Sequence, residues 1–404
     1  MVLRRSLLRS AVCVATGLFS YPLIASQQAE QLLAAQPQPV KVQSLDHDSL
    51  SPFTADEART FLAAAAKADK ITDLMRRCLS YPDPPGSHWS REGVEVYCRY
   101  RLQQSIDFAE LKSLVLGGNA AEVDRRLAEW AHDPSKHPEA FWRFLNVNFF
   151  GPRPESRDVL EAWKQQSPQS AFAHAASGFS FLRSAWRVRG GKYMADTPQE
   201  RVDGMDNLLS RADGDLRRAE KLDPSLSAPY AIMMQMGALQ GDGELIAMAT
   251  KEGLSQAPTS FPIFDALEMV TEPRWFGSLE DQSRLLASID QQAPKHPLLF
   301  VVRTAVLMDQ ADLGACECDQ PQQRAAYRIV FDQVGTGSAL SRAGSNALDN
   351  GQYEIAAIYL AEALRFDAND AATRGSLGKA LAGLDHSLVV GWAGEGPGGE
   401  VLHR

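Results

Sequence analysis

Prolines follow helical segments of this chain at a near-constant spacing, and this spacing restricts the fold more than any other feature. The segments carry apolar residues three and four positions apart, the pattern of a helix with one buried face. Each segment ends in a short turn with a proline, which cannot continue a helix. Neighbouring prolines are 34, 56, 34 and 36 residues apart, at Pro134, Pro168, Pro224, Pro258 and Pro294. An array of helical hairpins with a period near 34 residues, lengthened once by an insert of 22 residues, satisfies this pattern.

Two segments also carry small, aromatic and proline residues in a fixed order. The first contains Ala212, Leu216, Ala219 and Pro224. The second contains Gly344, Gly351, Tyr353, Ala356, Leu360, Ala363 and Ala368. Both resemble the tetratricopeptide repeat, in which two antiparallel helices cross closely at small residues. The resemblance implies an α-solenoid of helix-turn-helix repeats.

Runs of alternating β-branched residues, which would indicate strands, do not occur in the sequence. We therefore predict an all-α fold: an α-solenoid with an N-terminal helical hairpin and an insert of helix and loop. The expected division of the chain is a signal peptide (1–26), a flexible linker (27–52), an N-terminal helical region (53–118), a repeat-like domain (119–300) with its insert at about 187–200, C-terminal tetratricopeptide-like repeats (301–384) and a Gly-rich tail (385–404).

The N-terminus has the organisation of an export signal. Arg4, Arg5 and Arg9 precede an apolar run that ends at the small residues Ala25 and Ser26. The run is shorter than the roughly 20 residues that a membrane-spanning helix needs. We expect a cleaved signal peptide, by the Sec or the twin-arginine route, and a periplasmic or secreted protein without stable membrane insertion. An uncleaved anchor helix is the alternative.

The charge balance excludes one class of partner. The net charge is −9 at pH 7, and removal of the signal would take away three arginines and no acid. An acidic protein lacks the positive field that binds phosphate backbones. We therefore exclude nucleic acid and an anionic membrane surface as partners.

Four cysteines follow the signal. Cys78 and Cys98 flank a turn rich in proline, so a disulfide between them would join two helices of a hairpin. Cys316 and Cys318 are separated by one residue, and a bridge between such neighbours is geometrically awkward. Free thiols or a strained disulfide are both open for this pair. The spacings do not match a zinc site, and we predict no metal.

No known catalytic or cofactor-binding motif is present, so we predict no catalytic residues and no cofactor. His132 and His137 flank Pro134 and are expected to be solvated in a turn.

The insert contains the most distinctive candidate binding residues. Trp186, Arg187, Arg189 and Tyr193 combine cationic and aromatic groups that suit a carboxylate or a sugar ring. Helix capping is the alternative interpretation of these residues, because Arg187 and Arg189 favour a helix C-terminus and Gly190 favours its left-handed cap.

A second candidate cluster is Arg274 and Trp275, in a turn between two helices of one repeat. For Trp275 the alternative is a place in the core between repeats.

These two clusters also resemble an uncharacterised bacterial family, the domain of unknown function 4034 family. The matching elements are Ala-Trp-x-x-Arg-Gly at 185–190, Asp-Leu-x-x-Ala through Leu-Asp-Pro at 215–224, and Pro-x-Trp-x-Gly-Ser at 273–278. The family has no assigned activity, so the resemblance implies a helical fold and a bacterial source but no reaction.

Two binding or catalytic functions are consistent with the sequence, and a purely structural protein of the envelope is a third hypothesis. The first is an adaptor or scaffold of the cell envelope that binds a protein or peptide, which the repeats without catalytic motifs favour. The second is an enzyme that uses a carboxylate and Arg189 in the insert to act on a cell-wall or peptide fragment. A carboxylate with a strongly raised pKa in a deep pocket would favour the enzyme. The sequence does not predict the oligomeric state.

Overall fold

A computed structural model describes residues 53–275, 277–314 and 326–384. The predicted signal peptide and linker, Cys316, Cys318 and the Gly-rich tail lie outside these residues. The described residues contain helices and no strand, which confirms the all-α fold class. The bounds of the α-helices are α1 Ala55–Asp69, α2 Leu74–Ser80, α3 Arg91–Leu102, α4 Phe108–Leu116, α5 Ala120–Ala131, α6 Ala140–Phe149, α7 Ser156–Gln166, α8 Ala171–Arg189, α9 Gln199–Leu222, α10 Ala228–Gln240, α11 Gly243–Gln256, α12 Phe261–Thr271, α13 Leu279–Gln292, α14 Leu299–Gly314, α15 Gly337–Asp349, α16 Tyr353–Phe366 and α17 Ala371–Ala382.

The helix ends fall where the prolines predict them. Helices α5, α7, α9, α11 and α13 each end two or three residues before one of the five periodic prolines. Helix α16 ends at Phe366, just before the Asp367-Ala368 turn that occupies the equivalent place. The ring of proline and its missing N–H thus prevent α5, α7, α9, α11 and α13 from continuing.

Consecutive helices pair, and alternate helices are also neighbours. The hairpins are α8 with α9, α10 with α11, and α15 with α16, while α10 also packs on α8 and α12, and α12 packs on α14. The crossing of α15 and α16 is close at Gly344, because a Cβ there would lie 2.6 Å from Cγ of Leu360. A Cβ at Gly178 of α8 would likewise meet Leu216 of α9 at 2.6 Å. Small residues at helix crossings are therefore required by the packing.

The insert lies in α8, in α9 and in the loop between them. Helix α8 has 19 residues and α9 has 24, against 13 and 14 in the next hairpin. The loop between α8 and α9 covers 190–198 and contains one 3-10 turn, Met194–Asp196. The predicted loop at about 187–200 is thus present, but most of the insert lengthens the two helices that carry it.

The N-terminal helices form the predicted stapled hairpin. Sγ of Cys78 in α2 and Sγ of Cys98 in α3 are bonded at 2.06 Å. Helix α1 begins with a capping box, in which Thr54 and Glu57 bond each other's main-chain N–H groups. The disulfide agrees with the sequence prediction for this region.

These N-terminal helices pack against the C-terminal repeat. The ring of Tyr97 in α3 lies 4.6 Å from that of Phe366 in α16, measured between centroids. Nε1 of Trp89 donates to the carbonyl oxygen of Phe331 at 2.8 Å. The sequence division places 53–118 and 301–384 in separate parts of the chain, whereas the structure joins them in one apolar core. No helix among the described residues has the length and hydropathy of a membrane span.

Candidate functional site

The two clusters singled out in the sequence meet in space. The indole rings of Trp186, at the end of α8, and Trp275, in the turn after α12, contact each other edge to face with centroids 5.0 Å apart. Edge-to-face contact is a favoured arrangement of aromatic pairs. We call the group formed by Trp186, Arg189, Glu272, Arg274 and Trp275 the tryptophan–arginine site.

Helix termini hold the two tryptophans in place. Gly190 ends α8 with a φ of 80°, a conformation that glycine adopts without strain, and its N–H donates to the carbonyl oxygen of Trp186. In the other segment, the N–H groups of Trp275 and Gly277 donate to the carbonyl oxygen of Glu272 at 2.9 and 3.2 Å. Gly190 thus ends α8 at a positive φ, as the capping interpretation predicts, but its ψ of −169° is outside the left-handed helical region. This helix end positions Trp186 and is compatible with a role in binding.

Arg189 is the least satisfied cation of the site. Only 8% of the residue is exposed, and Cζ lies 5.9 Å from the ring centroid of Trp186 and 5.6 Å from that of Trp275. One nitrogen, NH1, donates to the carbonyl oxygen of Gly190 at 3.3 Å, and Nε is buried without a hydrogen-bond partner. A guanidinium has five N–H donors and seldom stays buried without an anion. Within the described residues, no carboxylate is paired with it.

Arg274 differs from Arg189 in having an anionic partner. Its Nε donates to the carboxylate of Glu272, and its Cζ lies 5.8 Å from the ring centroid of Trp275. The Arg274 side chain is 63% exposed, whereas that of Glu272 is 7% exposed. Arg274 thus covers a buried carboxylate at the edge of the site, and Arg189 lies behind the two rings.

Helix α12 adds two carboxylates that sequence reasoning missed. Asp265, Glu268 and Glu272 follow one another at spacings of three and four, so they share one face of the helix. Burial raises the pKa of Asp265 to about 6 and that of Glu268 to about 8. The neighbouring charges of Glu272, Asp265 and Asp309 raise the pKa of Glu268 further, and Arg274 opposes them. The available signal was the polar spacing within an otherwise apolar segment.

The remaining insert candidates lie elsewhere. Arg187 is exposed and donates to the hydroxyl of Ser184 at 2.9 Å, within its own helix. Tyr193 is 77% exposed, and its carbonyl oxygen accepts the hydroxyl of Thr197 at 2.9 Å. The structure therefore brings together Trp186, Arg189, Arg274 and Trp275 but not Arg187 and Tyr193.

A serine, a histidine and an aspartate also meet between α7, α8 and α9. Asp215 accepts hydrogen bonds from Ser177 Oγ at 2.5 Å, His174 Nδ1 at 3.1 Å and Lys164 Nζ at 3.0 Å. A catalytic triad needs the serine bonded to the histidine, which in turn is bonded to the aspartate. Here the serine donates directly to the aspartate, so the group joins three helices and has no activated nucleophile.

Neither a metal site nor a similar protein helps to identify the function. Among the described residues, no group of three or more histidine, cysteine, aspartate or glutamate side chains is arranged to hold a metal ion. Comparisons with protein-family models, curated proteins and solved structures find no match to the chain. The function must therefore be inferred from the chemistry of the side chains.

Proposed function

We propose that this protein is an exported helical-repeat adaptor or scaffold that binds a protein or peptide in the cell envelope, with a ligand carboxylate at Arg189. The observation that carries the proposal is the buried guanidinium of Arg189, which lies beside Trp186 and Trp275 and has unused donors. A carboxylate would accept two parallel hydrogen bonds from such a group. The indole rings would exclude water and strengthen that contact.

The repeat interpretation supports a binding role. Helices that end at a period near 34 residues, and alternate helices that pack on one another, are what a tetratricopeptide array would have. Arrays of this kind present long surfaces that bind proteins and peptides. We therefore propose a tetratricopeptide-like solenoid, and membership of the domain of unknown function 4034 family remains part of the same proposal.

The location in the envelope is supported by two features. The N-terminal sequence has the organisation of a signal peptide. The Cys78–Cys98 disulfide is of a kind that persists in oxidising compartments and is rare in the cytosol. Together they favour a periplasmic or secreted protein.

The packing of the N-terminal helices limits where a partner can bind. Helices α1, α2 and α3 cover one side of α16, so that side is not available to a ligand. The aromatic and ionic contacts of the tryptophan–arginine site involve the end of α8 and the turn after α12, and none of them involves α1, α2, α3 or α16. A partner at Arg189 would therefore contact the protein where the insert begins.

The experiment is a capture followed by a direct titration. The full chain is used to capture partners from an envelope extract, and the captured binding segment is synthesised with its carboxylates free or amidated. We expect Arg189→Met to weaken binding of the free-carboxylate peptide about 10- to 100-fold, the worth of a charge-assisted hydrogen bond. Fluorescence anisotropy gives the affinities.

Arg187→Met is the matched control, because Arg187 lies on the same helix and its side chain donates to Ser184 of that helix. It should bind the peptide as the wild type does. If the wild type captures no reproducible partner, the adaptor proposal is wrong. If Arg189→Met or the amidated peptide binds with unchanged affinity, the partner binds elsewhere.

An enzyme is the second candidate, and Glu268 is the observation that favours it. A carboxyl group with a pKa of about 8 is protonated at neutral pH and is suited to donate a proton. Arg274 lies close enough to influence it and could hold the substrate's anionic group. The test is turnover of cell-wall and peptide fragments by the wild type, with loss of turnover in Glu268→Gln. Unchanged turnover in Glu268→Gln would exclude this role for Glu268.

A further inference from the structure

A cavity of about 370 Å³ lies where several turns between helices meet. Its wall includes Glu139, at the start of α6, and the aromatic rings of Phe141, Trp142, Phe172 and Phe261. Its volume is within the range of small-ligand sites, which are mostly apolar with a few fixed polar groups. We call it the Glu139 cavity.

The backbone of Glu139 is in an unusual conformation. Its φ is 48°, which makes it the only non-glycine residue with positive φ in the described part of the chain. A left-handed conformation costs a residue with a side chain about 1–3 kcal/mol and persists only where the surrounding structure enforces it. The conformation sends the side chain towards α12, where Oε1 accepts the N–H of Phe261 at 3.0 Å.

That contact has a structural role. Phe261 is the first residue of α12, and Ser260 at the N-cap makes no side-chain cap bond. Glu139 therefore caps α12 from a different part of the chain, as a side-chain acceptor does at a helix N-terminus. A neutral amide oxygen would satisfy the same N–H.

The N-terminus of α12 favours the negative charge of Glu139, but it supplies only a partial positive charge. Glu139 makes no ion pair in the described part of the chain. Burial raises its pKa to about 7, and the Phe261 N–H is what opposes this effect. His137, Lys295 and His296 also line the cavity, but none of them forms an ion pair with Glu139. The cavity thus contains a carboxyl group that lies among aromatic rings and has no full counter-charge.

His137 is also less solvated than its turn position suggests. Its ring lies 5.7 Å from that of Trp130, its Nδ1 is buried without a hydrogen-bond partner, and the residue is only partly exposed. The expectation of a solvated histidine therefore holds for His132, which is exposed, but not for Nδ1 of His137.

We propose that the Glu139 cavity binds an alkylammonium or guanidinium group, such as the side chain of a lysine or arginine in a peptide. The carboxylate supplies the opposite charge, and the aromatic rings favour a cation near their faces. The apolar stem of such a side chain would contact the remaining wall. The net charge of −9 also attracts cations to the protein.

This site is separate from the tryptophan–arginine site. Phe261 begins α12 and Glu272 follows its end, so roughly 15 Å of helix lies between the two groups. The cation proposal does not depend on a carboxylate at Arg189, and each can fail without the other.

Calorimetric titration of the full chain at pH 8 tests the proposal with three probes. These are the N-acetyl amides of lysine, of arginine and of norleucine, the last being an uncharged analogue of lysine. We expect the lysine and arginine probes to bind at least tenfold more tightly than the norleucine probe. Glu139→Gln keeps the acceptor for Phe261 and should weaken binding of the cationic probes at least tenfold. Glu129→Gln, an exposed glutamate on α5, should leave binding unchanged.

Three results would overturn the proposal: no binding of either cationic probe, equal binding of the norleucine probe, or undiminished binding by Glu139→Gln. A second measurement needs only the wild type and covers the case in which Glu139→Gln does not fold. The affinity for the lysine probe should rise from pH 6 to pH 8 as Glu139 ionises. A constant or falling affinity would equally count against a cation site.

Discussion

Arg77 and Arg365 each donate a hydrogen bond to the main chain of the helix that contains the other arginine. NH1 of Arg77 donates to the carbonyl oxygen of Leu364 at 2.8 Å, and Nε of Arg365 donates to the carbonyl oxygen of Cys78 at 2.7 Å. Both arginines are buried. The disulfide-bonded hairpin is therefore held on α16 by charge-assisted hydrogen bonds as well as by apolar contacts.

Replacing Arg365 should destabilise the protein strongly. Its NH1 lies 2.8 Å from Oε1 of Glu362 and 2.8 Å from Oδ1 of Asp83, and Glu362 is fully buried. Arg365→Met would leave the Glu362 carboxylate buried without its cation, which costs about 3–5 kcal/mol. Urea unfolding followed by circular dichroism measures the loss.

Arg59→Met is the control, because Arg59 forms an exposed pair with Asp56 and should change stability by less than about 0.5 kcal/mol. Hydrogen exchange adds a local test: Arg365→Met should increase exchange in α2 and α3. Equal stability of Arg365→Met and the wild type would contradict the structural role of the arginine.

Reduction of the Cys78–Cys98 disulfide should lower the free energy of unfolding by about 3 kcal/mol. The bond closes a loop of 20 residues, and its loss allows the unfolded chain more conformations. Urea unfolding of the wild type with and without dithiothreitol measures the effect. The Cys78→Ala, Cys98→Ala double variant should match the reduced wild type and be insensitive to the reductant. A reductant effect that persists in the double variant would have to arise from other cysteines.

The sequence predicted local features better than long-range ones. Proline positions determine helix ends through local sterics, so the ends at Pro168 and Pro224 were predictable from spacing alone. The packing of α1–α3 on α16 was not predictable, because the Arg77 and Arg365 contacts join residues 287 positions apart. No periodicity within one segment carries that information.

The candidate site was predicted in pieces. Trp186, Arg189 and Trp275 were identified because they combine cationic and aromatic groups in the insert and in a turn between helices, but the sequence did not show that they touch. Glu268 and Glu139 were missed. Their significance depends on desolvation by surrounding helices, which a single sequence does not show.

The free energy of unfolding of Glu268→Gln should increase relative to that of the wild type as the pH rises. Burial raises the pKa of Glu268 from 4.5 to about 8, so the folded state binds this proton more tightly than the unfolded state. The contribution of Glu268 to stability therefore falls as the pH increases from about 4.5 to about 8, and glutamine removes this loss. The gain of the variant should be up to about 4 kcal/mol greater at pH 8 than at pH 5.

Urea unfolding at both pH values measures this difference, with Glu280→Gln as the control because Glu280 is exposed on α13. The control should follow the wild type at both pH values. A Glu268→Gln difference that does not change between pH 5 and pH 8 would mean that Glu268 is ionised in the folded protein throughout that range.

Arg189→Met should leave stability nearly unchanged, in contrast to Arg365→Met. Arg189 makes a single bond of 3.3 Å and has no anionic partner in the described part of the chain, so methionine removes a buried charge without leaving a counter-charge. Such replacements are commonly neutral or stabilising. We expect a change within about 1 kcal/mol by thermal unfolding. A loss above about 2 kcal/mol would assign the guanidinium a structural role and weaken the binding proposal.

Two glycines in neighbouring helices should respond to alanine in opposite directions. In α15, a Cβ at Gly344 would lie 2.6 Å from Cγ and 3.0 Å from the main-chain nitrogen of Leu360, so α15 and α16 would have to separate. Gly344→Ala should therefore destabilise the protein by about 1–3 kcal/mol. In α17, a Cβ at Gly375 would meet nothing within 4 Å. Gly375→Ala should stabilise it by about 0.5–1 kcal/mol, because alanine favours a helix over glycine. Urea unfolding measures the stability of both variants. A Gly344→Ala variant as stable as the wild type would show that α15 and α16 cross less closely than described.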